Sequence, residues 1–216
     1  MNITDKIKIT NEDNMELMKR YPDNYFDLAI VDPPYGIDSK MHRSSHGKVG
    51  GGEFEKYSQK RWDKQTPKQE YFNELRRASK NQIIWGGNYF FDYLPSTRGI
   101  ICWDKEKYVS NFSAWEMAWT SFDVVARIVK HRHHGFLTSD NVKIHPTQKP
   151  VALYKWLLDK YAKQGDKILD THLGSGSIAI ACHDYNFELT ACELDKEYYD
   201  KAIERITNHT KQQKLF

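Results

Sequence analysis

The sequence predicts an α/β fold, a single doubly wound and mostly parallel β-sheet flanked by helices. Short apolar, β-branched runs alternate along the chain with stretches of helical periodicity, which indicates strands joined by helical crossovers. The apolar runs at 28–31 and 168–169 are each followed directly by an aspartate and then by residues that turn the chain. Parallel strands end at one edge of a sheet, and open α/β sheets bind ligands there.

The length fits one compact domain, spanning residues 1–216. The net charge of +3, from 32 basic and 29 acidic residues, does not by itself require a nucleic-acid partner. Cys102, Cys182 and Cys192 show no paired spacing and are expected to be reduced thiols. No apolar run is long enough to span a membrane, and the N-terminus lacks a signal core. We therefore expect a cytoplasmic protein with no membrane partner.

The first predicted elements are a strand at 6–10 and a short helix that begins near Met15. Asp13 or Asn14 fits the N-cap of that helix. An acid at the end of a strand could instead hold the adenine of a cofactor, and both interpretations stay open.

The central stretch of the chain is the strand at 28–31 with the loop that follows it. Asp32-Pro33-Pro34-Tyr35 is a stiff loop, because each proline fixes φ and lacks an N–H donor. The Asp32 carboxylate and the Pro33 carbonyl are acceptors, and Tyr35 offers a flat face for stacking. These groups suit a planar ring that carries an amino group, since two acceptors on the amine hydrogens localise the nitrogen lone pair. The plainer alternative is a proline turn with a capping aspartate.

Asp32-Pro33-Pro34-Tyr35 resembles the catalytic motif of the amino-group DNA methyltransferases, which use S-adenosyl-L-methionine. In that family the form with Asp usually accompanies N6-adenine methylation, and the form with Ser usually accompanies N4-cytosine methylation. The resemblance implies that Asp32 and the Pro33 carbonyl take the hydrogens of the target amine, and that Tyr35 stacks on a base flipped out of the duplex.

The middle of the chain carries its basic segments. Residues 36–66 form a long glycine-rich stretch with a surplus of three positive charges, a mobile loop that could close over the base, hold the DNA backbone, or simply be solvated. Metal binding by the histidines of 131–134 is disfavoured by their cationic neighbours, so no metal is expected. By resemblance, 129–143 is a short target-recognition segment. The predicted DNA-contacting residues are Lys40, Arg43, Lys60, Arg61, Lys130 and Arg132.

Between these segments the pattern predicts a helix at 67–80 and strands at 82–85 and 99–103. The aromatic turn at 89–91 is interpreted as core. Residues 114–120 and 124–129 fit a pair of antiparallel strands. In the resembling family an aromatic side chain near this point helps to hold the extruded base, which makes Trp119 and Phe122 candidates, with core packing as the alternative.

The hexapeptide at 145–150, His-Pro-Thr-Gln-Lys-Pro, precedes an amphipathic helix at 151–161. It matches the family's cofactor-binding segment, which packs against the methionine end of S-adenosylmethionine; a capped helix start is the alternative. After the strand at 167–170, a glycine-rich turn opens a helix at 178–184, and a strand at 187–192 ends at Glu193. Asp195 is predicted to open the last helix.

This final unit also fits a loose dinucleotide-binding fingerprint, with Glu193 nineteen residues after Gly174. The upstream motifs favour the methyltransferase instead, and their order resembles the permuted (β-type) group, a Rossmann-like methyltransferase fold. One departure is Thr171-His172, where the family commonly has Pro-Phe. The predicted cofactor-binding residues are Asp13, Asp32, His145, Thr147, Gln148, Lys149, Asp170, Gly174, Ser175, Gly176, Ser177 and Glu193.

The resemblance thus implies a site-specific methyltransferase that acts on N6 of adenine in double-stranded DNA. Three alternatives stay open: N4-cytosine methylation, an RNA substrate, and a nucleotide-binding protein without catalysis. C5-cytosine chemistry is disfavoured because no cysteine follows a proline. Monomer or homodimer, the recognition sequence and an accompanying restriction enzyme are left undecided. The size resembles that of solitary enzymes encoded by bacteria, phages or mobile elements.

Overall fold

The computed structural model describes residues 1–36, 66–106, 113–131, 144–145 and 147–211. Most of the predicted basic loop and recognition segment lies outside these ranges, with Lys40, Arg43, Lys60, Arg61 and Arg132. The strands are β1 (Ile7–Thr10), β2 (Phe26–Val31), β3 (Ser79–Trp85), β4 (Ile100–Asp104), β5 (Trp115–Thr120), β6 (Arg127–Lys130), β7 (Lys167–Asp170) and β8 (Glu188–Cys192). The helices are α1 (Asn14–Lys19), α2 (Gln69–Ala78), α3 (Val151–Tyr161), α4 (Ser177–Asp184) and α5 (Lys196–Lys211), with a 3₁₀ turn at Gly87–Tyr89.

The eight strands of the described part form one sheet in the order β1-β8-β7-β2-β3-β5-β4-β6. Neighbouring strands are parallel except where β5 pairs with β3 and β4. The chain leaves β7 towards β8 and leaves β2 towards β3, so the topology switches direction between β7 and β2. Such a switch point opens a crevice at the carboxyl ends of the strands. The predicted fold class is confirmed.

The predicted pairing of the strands at 114–120 and 124–129 is wrong. β4 lies between β5 and β6, and it pairs antiparallel with the first and parallel with the second. Apolar runs separated by a short polar turn suggest a hairpin. Here the turn between β5 and β6 instead crosses the amino end of β4, where Phe122 contacts Gly99. Because β5 runs against its neighbours, its first residues, not its last, reach the carboxyl edge of the sheet.

Two apolar layers sandwich the sheet. One packs α3, α4 and α5 against one face through side chains such as Leu157, Ile178 and Ile206. The other packs α1, α2 and the turn after β3 against the opposite face through Leu17, Phe72 and others. Within the described ranges, no helix has the length and apolar character needed to cross a membrane. The two layers cover both faces of the central strands.

Candidate active site

The ends of four adjacent strands bring the predicted motifs together. Asp32 follows β2, Asp170 ends β7, Glu193 follows β8, and Asp13 lies in the turn after β1. β2 and β7 pair in parallel through Leu28 and Ile168, so the catalytic and the glycine-rich loops leave the sheet side by side. The structure thus gathers at one edge motifs that are far apart in the sequence.

The Asp32 carboxylate is held from two sides. The Tyr35 hydroxyl donates to Asp32 Oδ1 over 2.5 Å, and the Lys149 ammonium donates to Asp32 Oδ2 over 2.5 Å. Burial and the charge of Asp32 raise the pKa of the Tyr35 hydroxyl well above its usual range, so it stays a donor. A carboxylate has about four acceptor positions, so Asp32 keeps acceptor capacity for a substrate amine.

The Tyr35 ring is fixed by aromatic stacking and by a glycine. It stacks on Tyr89, with ring centroids 4.9 Å apart and planes 12° from parallel. Gly86, at φ +67°, lies so close that a Cβ there would be 2.1 Å from Tyr35 Cε1. Tyr89 and Phe91 are 45% and 61% exposed, so the interpretation of residues 89–91 as core is wrong for these two rings. No sequence signal separates them from the buried Phe90.

The hexapeptide at 145–150 bridges the two loops. His145 packs its ring against Tyr198, at a centroid distance of 4.4 Å, and lies beside Gly174 of the glycine-rich loop. Gln148 closes the turn by accepting from the backbone N–H of Ile144 at 3.1 Å. Lys149 reaches the other way, to Asp32. Thr147 is exposed, and its hydroxyl lies 3.1 Å from His145 Nδ1.

The glycine-rich loop is fastened by three contacts. Glu193 Oε2 accepts from the backbone N–H of Gly174 at 2.9 Å. Gly176, at φ +76°, packs against Ile206 of α5. Arg205, which the sequence pattern did not single out, donates to the Ser175 carbonyl at 2.8 Å and to the Ser177 hydroxyl at 3.0 Å. The two serine hydroxyls lie 3.2 Å apart. Ser175 and Ser177 therefore shape the loop from within.

Two carboxyl groups of the site, Asp170 and Glu193, have raised pKa values. Burial, and to a smaller degree the charges of Asp32 and Glu193, raises the pKa of Asp170 to about 8, although the His172 N–H donates to it. Burial also raises the pKa of Glu193. Each carboxyl is more readily ionised beside a cation. The set of groups therefore fits a positively charged ligand and disfavours an anionic one.

His172, at the departure from the family pattern, belongs to a polar network. Its Nε2 lies 3.1 Å from the Asn14 amide nitrogen, and its Nδ1 lies 2.9 Å from the Thr171 hydroxyl. Tyr71 completes the network through Thr171 at 2.7 Å. Burial lowers the pKa of His172 to about 4, so the ring is neutral at physiological pH. Where the family commonly has Pro-Phe, this chain therefore has polar side chains joined by hydrogen bonds.

Several other predicted residues can be placed. Asp13 is the N-cap of α1, because its side chain accepts from the Met15 N–H at 2.8 Å, and its charge also acts on nearby His172. Lys130 ends β6 at the same edge as Asp32, four strands away. Trp119 is 3% exposed and its indole donates to the Pro95 carbonyl, so its ring is core. Phe122 follows β5 at the opposite edge of the sheet, away from Asp32.

The fold and the site together define a class, the Rossmann-like methyltransferase sheet with the catalytic loop before the cofactor loop in the chain. Residues 83–204 match the model of the DNA methylase family N6_N4_Mtase. The match covers more than half of the chain, and the chain belongs to this family. The resemblance inferred from the motifs is thereby confirmed.

Individual relatives agree with this assignment. Over 73 residues, 34% of this chain, the sequence is 37% identical to the type II methyltransferase M.HpaI of Haemophilus parainfluenzae, and the match spans only 23% of that relative. The M1.HpyAVI–SAM complex aligns with a TM-score of 0.61 at 18% identity, covering 93% of this chain and 98% of that one. The cytosine-N4-specific PvuII DNA methyltransferase aligns with a TM-score of 0.64 at 11% identity, covering 99% and 89%. At these identities the two structures establish the fold alone.

Proposed function

We propose that this chain transfers a methyl group from S-adenosylmethionine to N6 of an adenine in double-stranded DNA. The observation that carries the proposal is the Asp32 loop. Its carboxylate is fixed by Tyr35 and Lys149 beside a stacking ring, at the switch point of a methyltransferase sheet. The Asp form of the motif favours adenine over cytosine.

The charge of the pocket supports S-adenosylmethionine over a dinucleotide. Asp170 is buried, Glu193 is half-buried, and both have raised pKa values, so a pyrophosphate would add negative charge beside them. S-adenosylmethionine is instead positive at its sulfonium and its amino group, and when bound it supplies an electrophilic methyl group. Asp170, Glu193 and the loop from Gly174 to Ser177 would hold it, with His145 behind the loop.

The chain's own residues position the base and its amine. Asp32 and the Pro33 carbonyl accept the amine hydrogens, which makes the nitrogen lone pair available for in-line attack. The Tyr35 ring orients the base by stacking. Tyr89 covers one face of that ring, so the base stacks on the opposite face or takes the place of Tyr89. No covalent bond between enzyme and substrate is required.

The test is product analysis. The purified protein is incubated with unmethylated DNA and S-adenosylmethionine, the DNA is digested, and the nucleosides are identified by mass spectrometry. We expect N6-methyladenine. N4-methylcytosine would retain the mechanism and change the base, whereas methylation of RNA alone, or no methylated base, would contradict the proposal.

Glu193→Ala should weaken the binding of S-adenosylmethionine. The loss of charged hydrogen bonds is expected to raise the Kd about 10- to 100-fold, equivalent to roughly 1.5–3 kcal/mol. Isothermal titration calorimetry measures this directly. Glu188→Ala is the control, since Glu188 is an exposed residue at the other end of β8. Equal affinities in both variants would contradict the role of Glu193.

Cofactor binding should release a proton below about pH 8. Asp170, with a pKa of about 8, holds its proton at neutral pH, and a bound cation favours the ionised form. Between about pH 5 and 8 the affinity should therefore rise with pH. Calorimetry in two buffers of different ionisation enthalpy counts the protons. Asp170→Asn should reduce the release, whereas the exposed Asp159→Asn should leave it intact.

A further inference from the structure

A row of four alternating charges runs from Asp32 away from the cofactor loop. Lys149 Nζ lies 2.5 Å from Asp32 Oδ2 and 3.2 Å from Glu116 Oε2. Lys105 Nζ lies 2.6 Å from the other oxygen of Glu116. The side chains of Lys149, Lys105 and Glu116 are 2%, 16% and 25% exposed. Two acids and two bases thus form a compact group at the edge of the site.

The antiparallel direction of β5 creates this arrangement. Glu116 is the second residue of β5 and pairs with Trp103 of β4, and Lys105 follows the last residue of that strand. Both therefore lie at the carboxyl edge of the sheet, as Asp32 does. Lys149 approaches over the Trp85 ring, with Nζ 5.2 Å from its centroid. Neither Glu116 nor Lys105 belongs to a motif recognised in the sequence.

Neighbouring charges keep Lys149 and Glu116 ionised. Burial alone would lower the pKa of Lys149, but the nearby charges of Asp32 and Glu116 outweigh it and raise the pKa. Burial would likewise raise the pKa of Glu116, yet Lys149 and Lys105 hold it at about 2. Lys149 therefore remains an ammonium group with two fixed anionic partners. With both in place, its position above Trp85 is determined, and so is the direction from which it approaches Asp32.

We propose that Glu116 is a positioning residue for methyl transfer. It anchors Lys149, and through Lys149 it holds the Asp32 carboxylate in the orientation that accepts the amine hydrogens. The inference rests on the proposed function and adds a residue on a neighbouring strand to it. Lys105 pairs with the other oxygen of Glu116 and holds that side chain in place.

Glu116→Gln tests the role, because it keeps the shape of the side chain and removes its charge. We expect kcat to fall about tenfold or more, since small displacements of a positioned group are costly, while KM for DNA and Kd for S-adenosylmethionine change less than about twofold. Glu116→Asp, which keeps the charge, should recover part of the loss.

Glu74→Gln is the matched control. Glu74 is 17% exposed and pairs with Arg77 at 2.7 Å, on a helix that does not carry the catalytic loop. Glu74→Gln also removes an ion pair, so both Glu74→Gln and Glu116→Gln are expected to lower the melting temperature. Only Glu116→Gln should lower kcat. Unchanged kcat in Glu116→Gln, or equal losses in both variants, would overturn the proposal.

The Lys149 ammonium group provides a readout that does not need catalysis. In ¹⁵N-labelled protein, its resonance is assigned by its loss in Lys149→Met. We expect the resonance to shift or broaden in Glu116→Gln and to stay unchanged in Glu74→Gln. An unchanged signal in Glu116→Gln would contradict the anchoring. If the wild-type protein transfers no methyl group, the proposed function fails, whereas a perturbed Lys149 signal would still establish the contact itself.

Discussion

Replacing Asp32 with alanine is expected to lower kcat for methyl transfer by about 10²- to 10³-fold or more, because it removes the fixed acceptor for the amine. The variant should still bind S-adenosylmethionine measurably, since Asp170, Glu193 and the glycine-rich loop are unchanged. Single-turnover kinetics with radiolabelled cofactor measure the transfer, and calorimetry measures the binding.

The same substitution should lower stability. Lys149 would lose its contact with Asp32 and keep only Glu116, so we expect a loss of about 3 kcal/mol, the lower end for breaking a buried ion pair. Asp32→Asn is the matched variant, because it keeps the shape and removes only the charge. Turnover near the wild-type rate in either folded variant would contradict the assignment of Asp32.

Gly86→Ala is expected to have the second large effect. A Cβ at Gly86 would be 2.1 Å from Tyr35 Cε1, so the ring has to move by more than 1 Å. The movement takes the hydroxyl away from Asp32 and the ring away from Tyr89. A displacement of this size is expected to lower kcat about 10²-fold, measured with the same transfer assay.

Gly165→Ala separates the clash from backbone strain. Gly165 also has a positive φ, +94°, but a Cβ there would have no neighbour within 4 Å. It should cost about 1–2 kcal/mol of stability, the price of a left-handed conformation, and leave kcat unchanged. Thermal unfolding of both variants gives the comparison. A wild-type kcat in Gly86→Ala would contradict the conclusion that the contact with Gly86 fixes the position of the Tyr35 ring.

The parallel core of the fold was predictable because its signals are local. Apolar runs such as Leu28–Val31 locate strands, and each aspartate or glycine turn after a run marks a strand end. The direction of β5 was not predictable, because an apolar run reads the same in either direction. The misplacement of Phe122 follows from that ambiguity. The mistaken hairpin has another cause: β5 and β6 do run in opposite directions, but β4 lies between them and pairs with both.

The site was predictable where a motif carries its own chemistry. Asp32 and Tyr35 lie together as the motif implies, and Glu193 contacts the glycine-rich loop. The sequence could not reveal that Lys149 of the cofactor motif contacts Asp32, because this contact joins residues 117 positions apart. Glu116 and Tyr89 were missed for the same reason: their roles arise from neighbouring strand ends, not from a local pattern.

The central pairing of the sheet has a consequence for how the chain folds. β2 pairs with β7 across 140 positions, as between Leu28 and Ile168, and within the described residues β1 pairs with β8 and with no other strand. Contacts this distant in sequence slow folding, because a long loop must close before they form. On the ribosome, β1 and one edge of β2 therefore cannot pair until β7 and β8, near the end of the chain, have been synthesised. Nascent chains that stop before residue 167 are expected to expose that edge and to depend on chaperones.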